Sequence, residues 1–171
     1  GEVMAIDRTF EAALQKAVRS LEIKGRGALW ESADWAKLAD PATFVREVLA
    51  GPATDERLWA LLAAFRRGAS VAVVREATSV DVWFLRKLEG IVRFDERELR
   101  GATPTPTLLR RAKRLGFPDA DIATHLGMRG EDVRGLRLQW GITPVYKMVD
   151  TCAAEFDAVT PYFYSTYEQE N

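Results

Sequence analysis

Apolar positions recur at helical spacing along most of this chain. Phe10, Leu14, Ala17, Val18 and Leu21 fall on one stripe, predicting a helix that Asp7 caps and that runs to about Glu22. Three further starts are signalled. "DPATFVREVLAG" offers Asp40 as cap, Pro41 at the first helical position and Gly51 as the stop. "TDERLWALLAAFRRG" offers Thr54 as cap, acids in the first turn and Arg66-Arg67-Gly68 at the end, which suits the helix dipole. "SVAVVREATSVDVWFLRKLEGIVRFDEREL" holds two cap signals, Ser70 and Ser79. It predicts a short helix, a turn at Ala77-Thr78, and a longer helix carrying Trp83, Phe84, Leu85, Leu88 and Val92, with the apolar opening "SVDVWFL" suited to burial.

Elsewhere the periodicity weakens or changes. "GEVMAI" is apolar and strand-like, lacks an initiating methionine, and reads as the end of something upstream. "KGRGALWESADWAKLA" reads as irregular, with Trp30 and Trp35 exposable. "GATPTPT" cannot be helical through both prolines and reads as a linker. "LLRRAKRLG" is a helix with a basic end and a glycine stop. From Asp119 to Pro144, Ile122, Ala123 and Leu126 share one face, Gly127 marks a turn, and Val133, Leu136 and Trp140 recur beyond it. The tail after Ile142 is rich in aromatics and acids and keeps neither period. With convincing strand pairs absent, the expected fold is all-α: short helices, two helix-turn-helix-like hairpins and an extended C-terminal tail.

The two hairpins echo each other. Asp81-Val82, Leu85-Arg86 and Gly90-Ile91 match Asp132-Val133, Leu136-Arg137 and Gly141-Ile142, every pair 51 positions apart. Each hairpin follows a basic helix end and a glycine, "FRRG" in one and "KRLG" in the other. A degenerate helix–turn–helix repeat is the expectation.

A helix-turn-helix raises the question of nucleic acid, and charge argues against it. The formal net charge is −1, with no global positive field. The second helix of the later hairpin opens on Gly130, Glu131 and Asp132, where carboxylates would repel phosphates; Arg129, Arg134 and Arg137 offset them only in part. The cations Arg110, Arg111, Lys113 and Arg114 suit a solvated helix face. Nucleic-acid binding is therefore the alternative reading, and packing the leading one. Chemistry is sparse. His125 is the sole histidine and Cys152 the sole cysteine, which excludes an internal disulfide. His125 reads as packed or solvated rather than a metal ligand, and Cys152 as a small buried apolar group. The carboxylates of the tail are scattered, and solvated charge is their default reading. No phosphate-binding loop, GxGxxG, HExxH or CxxC is present, and no run is apolar and long enough to span a bilayer.

The tail also carries a resemblance. "VYKMVDTCAAEF" followed by "TPYFYSTYE" resembles the centre of the large chain of carbamoyl phosphate synthase, where a helical oligomerisation domain ends and leads into the second half of the enzyme. "GEVMAIDRTFEAALQKAVRSLE" is similar to the exit from the first ATP-grasp half, with Asp7 where a glycine is expected. "SVDVWFLRKLEGIV" resembles the domain's "DxWFLxxI" helix through Asp81, Trp83, Phe84 and Leu85, and "LLRRAKRLGFPDADIATHLG" and "VRGLRLQWGITPVYK" continue the match. Residues 24–52 diverge.

The resemblance implies residues 1–6 as the end of an ATP-grasp half, 7–149 as the oligomerisation domain and 150–171 as a linker towards the second half. It implies a cytoplasmic parent ligase that makes carbamoyl phosphate from bicarbonate, glutamine-derived ammonia and ATP for arginine and pyrimidine synthesis. ATP, magnesium or manganese, and potassium would belong to the ATP-grasp halves, and a glutaminase subunit or domain would supply ammonia. The segment itself is expected to hold no catalytic, cofactor or metal residue, to help the chain self-associate, and to meet neither nucleic acid nor membrane. The tail aromatics would lie along neighbouring domains.

Overall fold

The computed structural model describes residues 2–23, 26–149 and 162–168. Eight α-helices and one two-stranded sheet form among them. The chain divides into two compact units, one made of Gly1–Ser20 with Gly101–Asn171 and the other of Leu21–Arg100.

In the Leu21–Arg100 unit, Asp40 caps α2 (Pro41–Phe44) by accepting from the Thr43 N–H at 2.8 Å, and Pro41 occupies the first turn as expected. The helix runs on as a π-turn, Val45–Leu49. α3 (Arg57–Arg66) begins three residues after Thr54, because Thr54–Glu56 form a turn of their own and Thr54 does not cap it. All seven residues from Trp59 to Phe65 are buried, so α3 is the central helix of this unit. α4 (Val71–Thr78) is capped by Ser70, as expected. Ser79 does not start the next helix. It takes a left-handed conformation that ends α4, and Asp81 caps α5 (Val82–Phe94) by accepting from the Trp83 N–H at 2.8 Å. The segment before α2 is ordered around a 3-10 turn, Ala33–Lys37, and its tryptophans are not loose. Trp30 sits edge-on to Trp35 and Trp59 at 5.8 and 5.9 Å, Trp35 is buried, and Phe44 completes the aromatic cluster.

In the other unit, α1 (Phe10–Ser20) is capped by Thr9, whose Oγ1 accepts from the Ala12 N–H at 3.2 Å; Asp7 is used differently, as described below. α6 (Pro106–Arg114) takes the second proline of "GATPTPT" as its first residue behind the Thr105 cap, since a helix tolerates proline where no N–H is required. α7 (Asp119–Leu126) and α8 (Gly130–Gln139) flank a left-handed Gly127, matching the hairpin read from the sequence. The expectation of an all-α chain is corrected here. β1 (Val145–Val149) pairs antiparallel with β2 (Tyr162–Thr166), with Tyr146 opposite Ser165 and Met148 opposite Phe163. Aromatic and β-branched residues favour such a ribbon, but neither strand alternates cleanly enough to announce its partner. The fold is predominantly helical.

The repeat is present, in a different register. Gly68 and Gly116, Ser79 and Gly127, and Val82 and Gly130, the first residues of α5 and α8, are each 48 positions apart rather than 51. Buried positions agree: Leu61 with Leu109, Val74 with Ile122, and Leu85 with Val133. So do the hydrogen bonds after each basic helix end, where Ala69 N–H donates to Ala64 and Phe117 N–H to Ala112. The matches at 51 arise from amphipathic patterning; in the structure Asp81 corresponds to Arg129, not to Asp132.

Candidate interaction surfaces

The repeat of α6–α8 carries an ionic knot. Phe117 anchors the turn after α6, and Lys113 donates to its carbonyl at 2.8 Å and to Asp119 Oδ1 at 2.9 Å. Arg137, on α8, donates to both Asp119 oxygens at 2.7–3.0 Å and to the Ile142 carbonyl at 2.8 Å. Lys113 and Arg137 are both buried. Burial, the largest influence, opposes charge on Asp119, but hydrogen bonds from Arg137 and Lys113 and the charges behind them outweigh it and hold the carboxyl below the usual aspartate range. Burial pulls the Lys113 ammonium below its ordinary value, and Asp119 resists that.

The C-terminal strand is fastened to this unit. The Tyr167 ring lies 5.1 Å from the Lys113 ammonium and 5.6 Å from the Arg137 guanidinium, and Glu168 pairs with Arg114 at 3.3 Å. Burial raises the Tyr167 phenol above its usual range. The buried Thr166 hydroxyl donates to Asp7 Oδ1 at 2.7 Å. Lys16 donates to the carbonyls of Ile6 and Ser165, both at 2.7 Å, and pairs with Asp7 at 2.9 Å. Asp7 is thus the acceptor that ties the first residues, α1 and β2 together. A two-stranded ribbon is marginal alone, so this tie matters. Along the ribbon, Tyr146, Met148, Tyr162 and Phe163 stay exposed, while Tyr164 and Tyr167 are half-buried against their own chain.

The Leu21–Arg100 unit has its own clamp. Arg67 grips Glu31 with two nitrogens at 2.9 and 3.2 Å and donates to the carbonyls of Trp35, Leu38 and Ala63, its guanidinium 4.2 Å from Phe44. Arg66 adds a 2.6 Å bond from Nε to Glu31. The first turn of α5 differs from its expectation: Leu85 is fully buried, yet Trp83 and Phe84 are 51% and 44% exposed, their rings edge-to-face at 5.0 Å. The helical period explains it, because Leu85, Leu88 and Val92 define the inward stripe and leave the two aromatics on the other side.

The remaining sequence candidates disperse. His125 is half-buried, its carbonyl accepting from the Gly101 N–H at 2.9 Å, and no group of three His, Cys, Asp or Glu suited to a metal occurs among the described residues. Cys152 lies outside the described residues, as do Asp150, Glu155 and Asp157 of the tail. Of the three basic residues weighed for DNA, Arg129 is paired with Asp132 and Arg137 is consumed by Asp119. Sequence reading missed both the Lys113–Asp119–Arg137 knot and the Glu31 clamp. The available signal was the pair of basic helix ends, which read equally well as dipole partners.

Comparison with known proteins settles the family. The family described as the carbamoyl-phosphate synthetase large chain oligomerisation domain matches residues 2–141. Relatives include the carbamoyl phosphate synthase large chain of Thermomicrobium roseum, 50% identical over 171 residues, and that of Thermoanaerobacter pseudethanolicus, 49% identical over 173 residues; each alignment covers 100% of this chain and 15% of the relative. The Aquifex aeolicus protein named as the large chain's N-terminal section is 48% identical over 169 residues, covering 99% of this chain and 29% of that protein. The chain therefore spans a small part of the relatives it matches. No helix among the described residues is long and apolar enough to cross a membrane. These helices and their repeats belong to the carbamoyl phosphate synthase large chain family, as its oligomerisation domain.

Proposed function

We propose that the protein containing this segment is a carbamoyl phosphate synthase of the cytoplasm, making carbamoyl phosphate from bicarbonate, glutamine-derived ammonia and ATP for arginine and pyrimidine biosynthesis. The segment serves as a helical spacer and self-association module and contributes no catalytic group. The observation that carries this reading is the full-length similarity to large chains together with the oligomerisation-domain match over residues 2–141. Nucleotide, magnesium or manganese, and potassium belong in this reading to flanking ATP-grasp halves, and a glutaminase subunit or domain supplies the ammonia. Residues 1–6 close the first half and 150–171 lead to the second. The exposed Trp83–Phe84 pair supports a self-association surface on α5, since paired aromatic rings on a helix face are the kind of apolar area that a second chain covers.

The test is the double variant Trp83→Ala, Phe84→Ala in the intact protein. Expected is a lower molar mass at a given concentration with ATP-dependent carbamoyl phosphate formation retained. Loss of that activity with the assembly unchanged would place chemistry in this segment and overturn the reading.

A further inference from the structure

The two repeats differ in what lies over one groove. On α6–α8, the residues after β2 fill it: Tyr167 lies over Lys113 and Arg137, and Glu168 pairs with Arg114. The residues 48 positions before Lys113, Arg114, Asp119 and Arg137 are Phe65, Arg66, Val71 and Glu89. All four line a cleft of about 710 Å³ beside α3, α4 and α5. The turn glycines repeat the contrast. A Cβ on Gly116 would meet the backbone of Ala12 in α1 at 2.8 Å, whereas one on Gly68 would meet nothing within 4 Å.

The open cleft is charged and has an apolar floor. Arg75, Arg86, Arg93 and Arg97 join Arg66 in its walls, against the carboxylates of Glu89 and Glu96. Five arginines stand against two glutamates, so the walls carry a net positive charge; of the two carboxylates only Glu89 is paired among the described residues, with Arg93 at 2.6 Å. Arg75, Arg86 and Arg97 have no ion-pair partner among the described residues. The side chain of Arg66 is 11% exposed; Nε is committed to Glu31, but Nη1 and Nη2 are buried with no hydrogen-bond partner among the described residues. Phe65, Val71, Val82 and Val92 supply the apolar lining.

We propose that this cleft docks an extended peptide segment in which an aromatic residue precedes a carboxylate, in the way that Tyr167-Glu168 occupies the corresponding groove of α6–α8. The carboxylate meets the arginines, as Glu168 meets Arg114. The ring lies on Val71 beside Phe65, the counterpart of Lys113, while Glu89, at the place of Arg137, is turned to Arg93. A small anion meets only the arginines and leaves the half-exposed Val71 and Val82 uncovered, which is why a peptide fits better. The inference is independent of the parent reaction.

The probe is a blocked synthetic peptide of the chain's own residues Tyr162–Glu168, titrated calorimetrically into the intact protein. Arg75→Gln with Arg97→Gln tests the cleft, both being exposed residues whose replacement leaves the core untouched; Arg110→Gln, on α6, is the control. The proposal expects saturable binding, weakened about tenfold or more by the double variant and unchanged by the control, with the same weakening when the peptide's last two residues are Ala-Gln. Three results overturn it. These are no binding, equal binding to the double variant, or equal competition by pyrophosphate and by peptides lacking the aromatic, which would mark a simple anion site.

Discussion

The two three-helix repeats share a backbone plan and treat their surfaces in opposite ways. In α6–α8, the positions taken by Phe65, Val71 and Glu89 in α3–α5 hold Lys113, Asp119 and Arg137, a buried charge cluster roofed by Tyr167 and closed on one side by α1. In α3–α5 the same positions border an open cleft, and the charge sits on its rim. The lesson is that repeat geometry is specified by few positions: the left-handed stop, the glycine after the basic helix end, and the inward apolar residues. The outer face is free to become either an internal joint or an external one.

The largest expected effect comes from breaking the knot. Asp119→Ala strands two buried cations and costs about 3 kcal/mol, whereas the combined replacement Lys113→Met, Asp119→Leu, Arg137→Met costs less, because no charge is left uncompensated. Denaturant melts compare them, and a triple variant less stable than the single one breaks this account of the joint. Next is the paired glycine test. Gly116→Ala forces a backbone overlap as well as a left-handed alanine, for roughly 3 kcal/mol, while Gly68→Ala carries only the conformational cost of about 1 kcal/mol. Equal costs would mean that α1 does not close the later repeat.

Thr166→Val removes the hydroxyl bonded to Asp7 and leaves a buried acceptor short of a partner, about 1 kcal/mol, read as faster amide exchange in β1 and β2. Acid gives the smallest effect. Asp119's carboxyl is held below its unfolded-state range, so its contribution is complete at neutral pH and is lost as pH falls below about 4. Val71, at the corresponding place, does not titrate. Exchange protection should therefore fall with acid in α6–α8 through this group; an Asp119→Asn variant that keeps the same acid dependence would contradict the assignment.

Much of this was legible in the chain. Caps at Asp40 and Ser70 and the left-handed turn at Gly127 are local features, set by bonds and backbone conformation within one turn of chain. The family followed from runs such as "YSTYE" and "WFL". Three things stayed hidden because they are non-local. The ribbon pairs Met148 with Phe163, and neither strand's pattern selects the other. The repeat register needs the turn conformations at Ser79 and Gly127, whereas amphipathic sequence matches itself at several offsets. Asp119 and Arg137 stand 18 residues apart, each with an adequate local reading as a helix-dipole charge. Burial of Trp35 likewise depends on which neighbours arrive.

The central claim is that these helices form a self-association module, and molar mass settles it most directly. Light scattering on the purified protein across a concentration series should show a reversible rise to a dimer or larger species, with the Trp83→Ala, Phe84→Ala variant shifted to higher concentration. A monomer at every concentration, with the helical fold intact by circular dichroism, would contradict it.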